Sequence, residues 1–175
     1  MNMRDKKVLY LTQAAVIAAL YVVLCEIFAP ISFKNIQVRI AEGLTILPFF
    51  TPAAIPGLFV GCLIGNMLGG AIPLDVVCGS LATLIGALGT WWIGMMIRQK
   101  PAAGAMKFAL PVPPIIANTI IVPLVLYYGY AIRIPIPIQM LTVGIGEVLG
   151  CGVIGMVLFY ALEKNSQKIF GTNAA

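Results

Sequence analysis

The residues of this chain that could do chemistry are a few ionisable and amide side chains set inside long apolar runs. Ionisable groups at membrane depth are costly, so they mark a binding or transport site by default. Acids, amides and one arginine can bind a small polar solute, and their mixed charges suit such a solute better than a bare ion. The candidate substrate-binding residues are Arg39, Glu42, Asn66, Asp75, Asn118, Tyr127, Tyr128, Gln139 and Glu147.

Most of these side chains also have a purely structural explanation. Arg39 and Glu42 stand at i,i+3, so they could neutralise each other on one helix face. Asp75 could cap a helix, and Asn118 could hydrogen-bond a neighbouring helix. Glu147 lies ~15 Å down its predicted helix, too deep to reach water easily, and no basic residue is near it along that helix. We therefore expect Glu147 to be the carboxylate that binds the ligand.

Several classes of site are excluded by residue types and spacing. The chain has no His, and its four Cys form no C-x-x-C pair, so they are interpreted as small buried hydrophobic residues. It contains no P-loop, and the G-x-G-x-x-G match at residues 150–155 lies inside an apolar run with no strand before it. We predict no catalytic residue, no metal site, no cofactor and no nucleic-acid partner. The low content of charged residues also excludes a soluble enzyme, because so few charges cannot cover a water-soluble surface.

The composition indicates an integral membrane protein. Of 175 residues, 61% are hydrophobic and 10% are charged, with a mean hydropathy of +1.01; soluble domains have about 45–50% and about 25%. The runs 8–32, 43–97, 108–132 and 134–162 hold at most one charge each. A membrane span needs about 20 apolar residues. The run 43–97 is therefore long enough for two spans, and each of the other three runs is long enough for one.

The short segment 39–51 decides the topology. If it crosses, eight Lys and Arg lie on one side and three on the other, which obeys the positive-inside rule with both termini cytoplasmic. If it is re-entrant, a basic loop lies outside. The eight inner residues are Arg4, Lys6, Lys7, Arg98, Lys100, Lys107, Lys164 and Lys168, and the outer three are Lys34, Arg39 and Arg133. We predict one all-α membrane domain, residues 1–175, with six helices near 8–29, 39–50, 52–69, 75–97, 109–130 and 137–162.

Small residues indicate how these helices pack. Four glycines recur every fourth residue in the third predicted helix, at positions 57, 61, 65 and 69, and predict close packing within the bundle. The first helix carries two overlapping Ala-x-x-x-Ala pairs, Ala14 with Ala18 and Ala15 with Ala19. This alanine face could pack inside the bundle or contact another subunit.

A small six-span protein with an alanine motif on its first helix resembles the substrate-binding (S) components of energy-coupling factor (ECF) transporters. More specifically, three stretches resemble the QueT family of proposed queuosine-precursor transporters. They are QVRIAEGLTILPFFTP at 37–52, AIPGLFVGCLIGN at 54–66, and the stretch from Asp75 to Gly79-Ser80-Leu81-Ala82-Thr83. The chain has Gly43 where members commonly have Ala.

The resemblance implies a function and a set of partners. The chain would capture a 7-deazaguanine, such as preQ0, preQ1 or queuine, at the plasma membrane of a bacterium or archaeon. It would dock through Ala14 and Ala18, or Ala15 and Ala19, on a transmembrane coupling protein that carries two cytoplasmic ATPases. S components for another vitamin, a stand-alone ion- or proton-coupled carrier using Glu147, and a structural subunit without substrate are the alternatives.

The ligand chemistry then suggests roles for the candidate residues. A 7-deazaguanine presents its ring N1–H and exocyclic amine side by side, and one carboxylate can accept both. We assign that role to Glu147. Asn118 or Gln139 could donate to the ligand's O6, and Tyr127 or Tyr128 could stack on its ring.

Overall fold

The computed structural model describes residues 3–28, 39–99 and 104–170, except for the side chain of Gln167, and every element in these ranges is helical. The elements are α1 (Met3–Ile27), a 3₁₀ helix (Ile40–Phe49), α2 (Ala54–Leu68), α3 (Pro73–Arg98), a second 3₁₀ helix (Gly104–Ala109), α4 (Val112–Tyr128), α5 (Ile136–Glu147), a π-helical segment (Val148–Ile154), α6 (Gly155–Glu163) and α7 (Ser166–Phe170). Lys34 and Lys100, used in the charge count, and Gln37 and Val38 of the quoted motif lie outside the described residues.

Four stretches are long and apolar enough to cross a bilayer, and they make this a multi-pass membrane protein. They are Met3–Ile27, Pro73–Arg98, Gly104–Tyr128 and Ile136–Glu163. Two other apolar helices, Ile40–Phe49 and Ala54–Leu68, are shorter. Ten residues of 3₁₀ helix rise ~20 Å and fifteen of α-helix ~22 Å. Both lengths are below the ~30 Å of a hydrocarbon core.

Helix boundaries differ from the expected ones in three places. α1 begins at Met3 rather than at residue 8, because the charged N-terminal residues continue the helix. α2 begins at Ala54 rather than at residue 52, since the Thr51 hydroxyl accepts a hydrogen bond from the Ala53 amide within a turn. The last predicted helix is divided into α5, the π segment and α6, and the division begins directly after Glu147.

The glycines of α2 pack against α1. A Cβ at Gly57 would lie 2.7 Å from the Ala14 carbonyl oxygen, and one at Gly61 would lie 2.8 Å from Tyr21 Cβ. Real side chains do not approach so closely, so only glycine lets the two backbones reach this distance. The stripe therefore serves packing within the chain and brings Tyr21 against α2.

α3 and α4 make a similarly close contact. A Cβ at Gly86 would lie 2.6 Å from Pro114, and one at Gly89 would lie 2.4 Å from Pro113. The Thr90 hydroxyl donates to the Leu110 carbonyl oxygen at 2.9 Å, which fixes the chain where it enters α4. Two glycines of α3 thus let the proline-rich start of α4 pack directly on α3.

The first 3₁₀ helix lies in the centre of the molecule. Residues Ala41 to Pro48 are all buried, and the helix packs against α1, α3, the π segment and α6. A Cβ at Gly43 would lie 2.9 Å from Ile154 Cγ2, and one at Gly150 would lie 2.7 Å from the Arg39 carbonyl oxygen. Non-α backbone is tolerated at membrane depth where protein covers it. Two glycines thus let a 3₁₀ helix and a π segment pack against each other.

Candidate substrate-binding site

Glu42 is the centre of a buried polar cluster. Its side chain is 0% exposed. Its Oε1 accepts hydrogen bonds from the Tyr21 hydroxyl on α1 and from Thr83 Oγ1 on α3, the latter at 3.0 Å. Its Oε2 is buried and has no partner within the described part of the chain. Because an unpaired buried acceptor is costly, this oxygen is available to a ligand donor.

Glu147, at the end of α5, lies beside Glu42. It is buried, and its Oε2 accepts from Asn118 Nδ2 at 3.4 Å and from Cys151 Sγ at 3.2 Å. Carboxylate oxygens of Glu42 and Glu147 and the Cys151 sulfur all lie within 4.8 Å of one another. Glu147 is buried, as its depth along the predicted helix led us to expect. The sequence did not indicate that a second carboxylate, that of Glu42, lies beside it.

Arg39 interacts electrostatically with both carboxylates but does not form the direct ion pair with Glu42 that its i,i+3 spacing allowed. Its guanidinium donates to Asn66 Oδ1 on α2, and no ion pair joins it to Glu42 among the residues that the structure describes. The reason is the backbone of Arg39, which is extended (φ −85°, ψ 93°) and precedes the helix. The two residues therefore do not share a helix face.

Asp75 lies towards the Arg39 side of the cluster. Its Oδ2 accepts from the Tyr130 hydroxyl at 3.0 Å, and that hydroxyl accepts from the Ile72 amide at 3.3 Å. A Cβ at Gly79 would lie 3.4 Å from Asp75 Oδ1 and 3.9 Å from an Arg39 guanidinium nitrogen. Partial burial raises the pKa of Tyr130, so this phenol is a donor at neutral pH. The contact ties the segment after α4 to the start of α3.

Gln139 and the two tyrosines have other surroundings. Gln139 Nε2 donates to the Ile132 and Ile134 carbonyl oxygens at 3.0 and 2.7 Å, so its amide holds the α4–α5 loop. Tyr128 is 71% exposed, and Tyr127 lies under the Arg133 guanidinium at 5.4 Å. The described contacts bring neither ring to the buried carboxylates, so the expected stacking on a ligand has no support in this geometry.

The cluster contains buried acceptors without a partner. Among the described atoms, Glu42 Oε2 and Asn118 Oδ1 have none, and neither has Gln139 Oε1, which belongs to the predicted site but lies at the α4–α5 loop. Glu42, Glu147 and Cys151 could also hold a metal ion by their spacing, although the sequence suggested no such site. A dry group of acceptors favours binding of a ligand rich in N–H donors.

Three residues of the cluster were not among the candidates. Cys151 follows Glu147 by one helical turn, so its spacing could have indicated it. Thr83 belongs to the stretch that resembles the QueT family. Tyr21 gave no signal, because one tyrosine in an apolar helix is ordinary until the fold brings its hydroxyl to Glu42.

The alanines of α1 are divided between two faces. Ala18 is buried and Ala14 is partly buried, on the face that contacts the glycines of α2. Ala15 and Ala19 are exposed. The bundle therefore uses the first pair for its own packing, and the second pair lies on its outer surface.

An apolar cavity of about 320 Å³ is separate from the polar cluster. It lies between α1, the first 3₁₀ helix, α6 and α7. Its lining includes Val16, Leu20, Leu47, Leu158 and Ile169. Its lining contains none of the buried carboxylates, and the polar residues in it are Thr12 and Gln13.

Comparison with known proteins agrees with the sequence resemblance. The family model described as QueT transporter matches residues 11–164. The queuosine precursor transporter QueT of Lactococcus lactis subsp. cremoris (strain MG1363) is 35% identical over 85 residues, which is 47% of this chain and 50% of the relative. The aligned part thus spans about half the length of that curated relative. No solved structure matches the chain.

Proposed function

This chain belongs to the QueT transporter family, and we propose that it is the substrate-capturing S component of an ECF importer for a queuosine precursor. The substrate would be a 7-deazaguanine such as preQ0, preQ1 or queuine. The relative from Lactococcus lactis is named a queuosine precursor transporter. A transporter is not an enzyme, so the family membership confirms the prediction that this chain is not one.

The buried acceptor cluster is the observation that carries this proposal. A 7-deazaguanine offers N–H donors on its ring and on its exocyclic amine. Glu42 Oε2 and Asn118 Oδ1 are buried acceptors without partners in the described structure. Hydrogen bonds to them form in a dry site, where they do not compete with water. The Arg39 and Asn66 pair adds donors that could meet the ligand's O6.

In this proposal, other subunits bind and hydrolyse ATP. The chain has no P-loop, so two cytoplasmic ATPases on a transmembrane coupling protein would supply the energy. The exposed Ala15 and Ala19 would be the docking face on α1, since small residues let helices approach closely in lipid.

The proposed topology has six crossings with both termini cytoplasmic, in the plasma membrane of a bacterium or archaeon. The eight-to-three distribution of Lys and Arg supports it. The short Ile40–Phe49 helix is covered by protein on most sides, so its length need not match the bilayer.

Mass spectrometry of small molecules released from the purified protein tests the function. We expect a 7-deazaguanine from cells that contain queuosine precursors, and ATPases should co-purify with the chain from membranes. Another vitamin would contradict the substrate, and a carrier that co-purifies without ATPases would contradict the S-component role.

A further inference from the structure

We propose that Glu42 and Glu147 together hold a positively charged amine of the ligand, so that this site selects cationic 7-deazaguanines over neutral ones. The inference rests on the proposed function, because it concerns the same site. It differs from the expectation that Glu147 alone accepts the ring N1–H and the exocyclic amine. It concerns preQ1, which carries an aminomethyl group, against preQ0, which carries a nitrile at the same position.

The two carboxylates are close enough for one ammonium nitrogen to donate to both. An oxygen of Glu42 and an oxygen of Glu147 lie no more than 4.8 Å apart. Charge-assisted N–H···O bonds are about 2.7–2.9 Å long, so a tetrahedral nitrogen that donates to two oxygens holds them about 4.4–4.7 Å apart. The ring edge instead presents two parallel donors, which match the two oxygens of a single carboxylate. A pair of carboxylates is therefore more than the ring edge requires.

No cation is in direct contact with the pair among the described residues, and Arg39 acts on both carboxylates only from a longer distance. Arg39 donates to Asn66 and forms no ion pair with Glu42 in the described part of the chain. The donors that do reach the carboxylates are neutral: hydroxyls of Tyr21 and Thr83 at Glu42, and the Asn118 amide and Cys151 thiol at Glu147. A buried carboxylate is stabilised by a cation that is hydrogen-bonded to it directly. A ligand ammonium between the two carboxylates would provide that direct contact.

Free acceptors beside the pair provide an independent indication of a ligand. Asn118 is 0% exposed, its Nδ2 donates to Glu147, and the Oδ1 of the same amide has no partner among the described atoms. Glu42 Oε2 is likewise buried and unpartnered. Native proteins satisfy nearly all such atoms. A ligand that brings several N–H groups would satisfy both.

A metal ion on Glu42, Glu147 and Cys151 is the competing occupant. The surroundings favour an ammonium, because the Cys151 thiol donates its proton to Glu147. A metal ion would require Cys151 as a thiolate, whereas an ammonium leaves the thiol protonated. The test therefore includes a metal arm.

The experiment measures binding of preQ1 and preQ0 to the full chain in detergent by calorimetry. We compare the parent with Glu42→Gln, Glu147→Gln and a control, Glu26→Gln, whose carboxylate is exposed on α1. The parent should bind preQ1 at least about tenfold more tightly than preQ0. Each buried substitution should weaken preQ1 about tenfold or more beyond its effect on preQ0, because preQ0 has no amine for the pair to hold. The control should bind both probes like the parent, and a cooperative thermal unfolding transition close to that of the parent shows that the variants fold.

Four results would overturn the inference. Equal affinity of the parent for both probes would do so and would leave the proposed function intact. Equal weakening of both probes by Glu147→Gln would show that Glu147 binds the ring N1–H and the exocyclic amine, which both probes carry. Thermal stabilisation by Zn²⁺ alone, lost in Glu42→Gln and Cys151→Ser, without a preference for preQ1, would make this a metal site. Binding of neither probe would remove the inference together with the proposed function.

Discussion

At the scale of single residues, the site depends on hydroxyl groups that hold a carboxylate in place. Tyr21 and Thr83 approach Glu42 from two helices and donate to the same oxygen, which leaves the other oxygen free. Neither hydroxyl needs to touch the ligand to matter. They fix which oxygen the ligand meets, because a carboxylate held at one oxygen presents the other.

Tyr21→Phe should therefore weaken ligand binding. The change removes one donor to a charged group, worth about 1.5 kcal/mol or more, so we expect about a tenfold lower affinity for a 7-deazaguanine. Tyr10→Phe is the matched control, because Tyr10 lies on the same helix and is 40% exposed. Calorimetry on both variants measures the effect. Equal affinities for the two variants would show that Tyr21 does not position Glu42.

At the scale of elements, glycines determine which helices meet. Gly150 lies against the Arg39 carbonyl oxygen, so the π segment can bring Cys151 to the carboxylates while α5 brings Glu147. π segments often occur inside helices at functional sites. Here the segment begins at the residue after Glu147.

Gly150→Ala should lower the melting temperature of the purified protein, whereas Gly152→Ala should not. A Cβ at Gly150 would lie 2.7 Å from the Arg39 carbonyl oxygen, but at Gly152 the nearest atom is 3.7 Å away. Overpacking of this kind costs about 1–3 kcal/mol. Thermal unfolding in detergent compares the two. Equal melting temperatures would mean that the π segment and the 3₁₀ helix do not pack as closely as described.

The two alanine pairs of α1 lead to a separate prediction. Ala15→Trp and Ala19→Trp should abolish uptake by the assembled transporter and leave ligand binding to the isolated chain intact, because both residues are exposed. Ile85→Trp, at an exposed position on α3, is the control for bulk in the membrane. Uptake assays measure transport by the assembled transporter, and calorimetry measures ligand binding to the isolated chain. Normal uptake by the alanine variants would place the docking face elsewhere.

At the scale of the whole molecule, the distribution of Lys and Arg predicts how the protein is oriented in the membrane. Cysteines at Met3 and Lys168 should resist membrane-impermeant reagents in whole cells, because both termini are predicted to be cytoplasmic. Cys25 and Cys78 must be removed, while Cys62 and Cys151 are buried. A cysteine at the exposed Arg133 is the control that should be labelled. Labelling at Met3 or Lys168 would contradict six crossings with both ends inside.

The amino-acid sequence by itself determined the class of this protein. Long apolar runs broken by few charges require helices, because backbone groups in lipid must be bonded within the chain. The same runs isolate Glu42, Asp75 and Glu147 as candidates, and the glycine period predicts close packing. The motifs at 37–52 and 54–66 indicated the family, which the match over residues 11–164 confirmed.

Only the tertiary structure decided which of these groups meet. Glu42 and Glu147 are far apart in sequence, and their contact depends on a buried 3₁₀ helix packing on a glycine-rich π segment. Spacing along the chain allowed Arg39 to pair with Glu42, but an extended residue before the helix turns the arginine to Asn66. Local patterns describe one element at a time, whereas a binding site is set by distances between elements, and those follow from packing of the whole bundle.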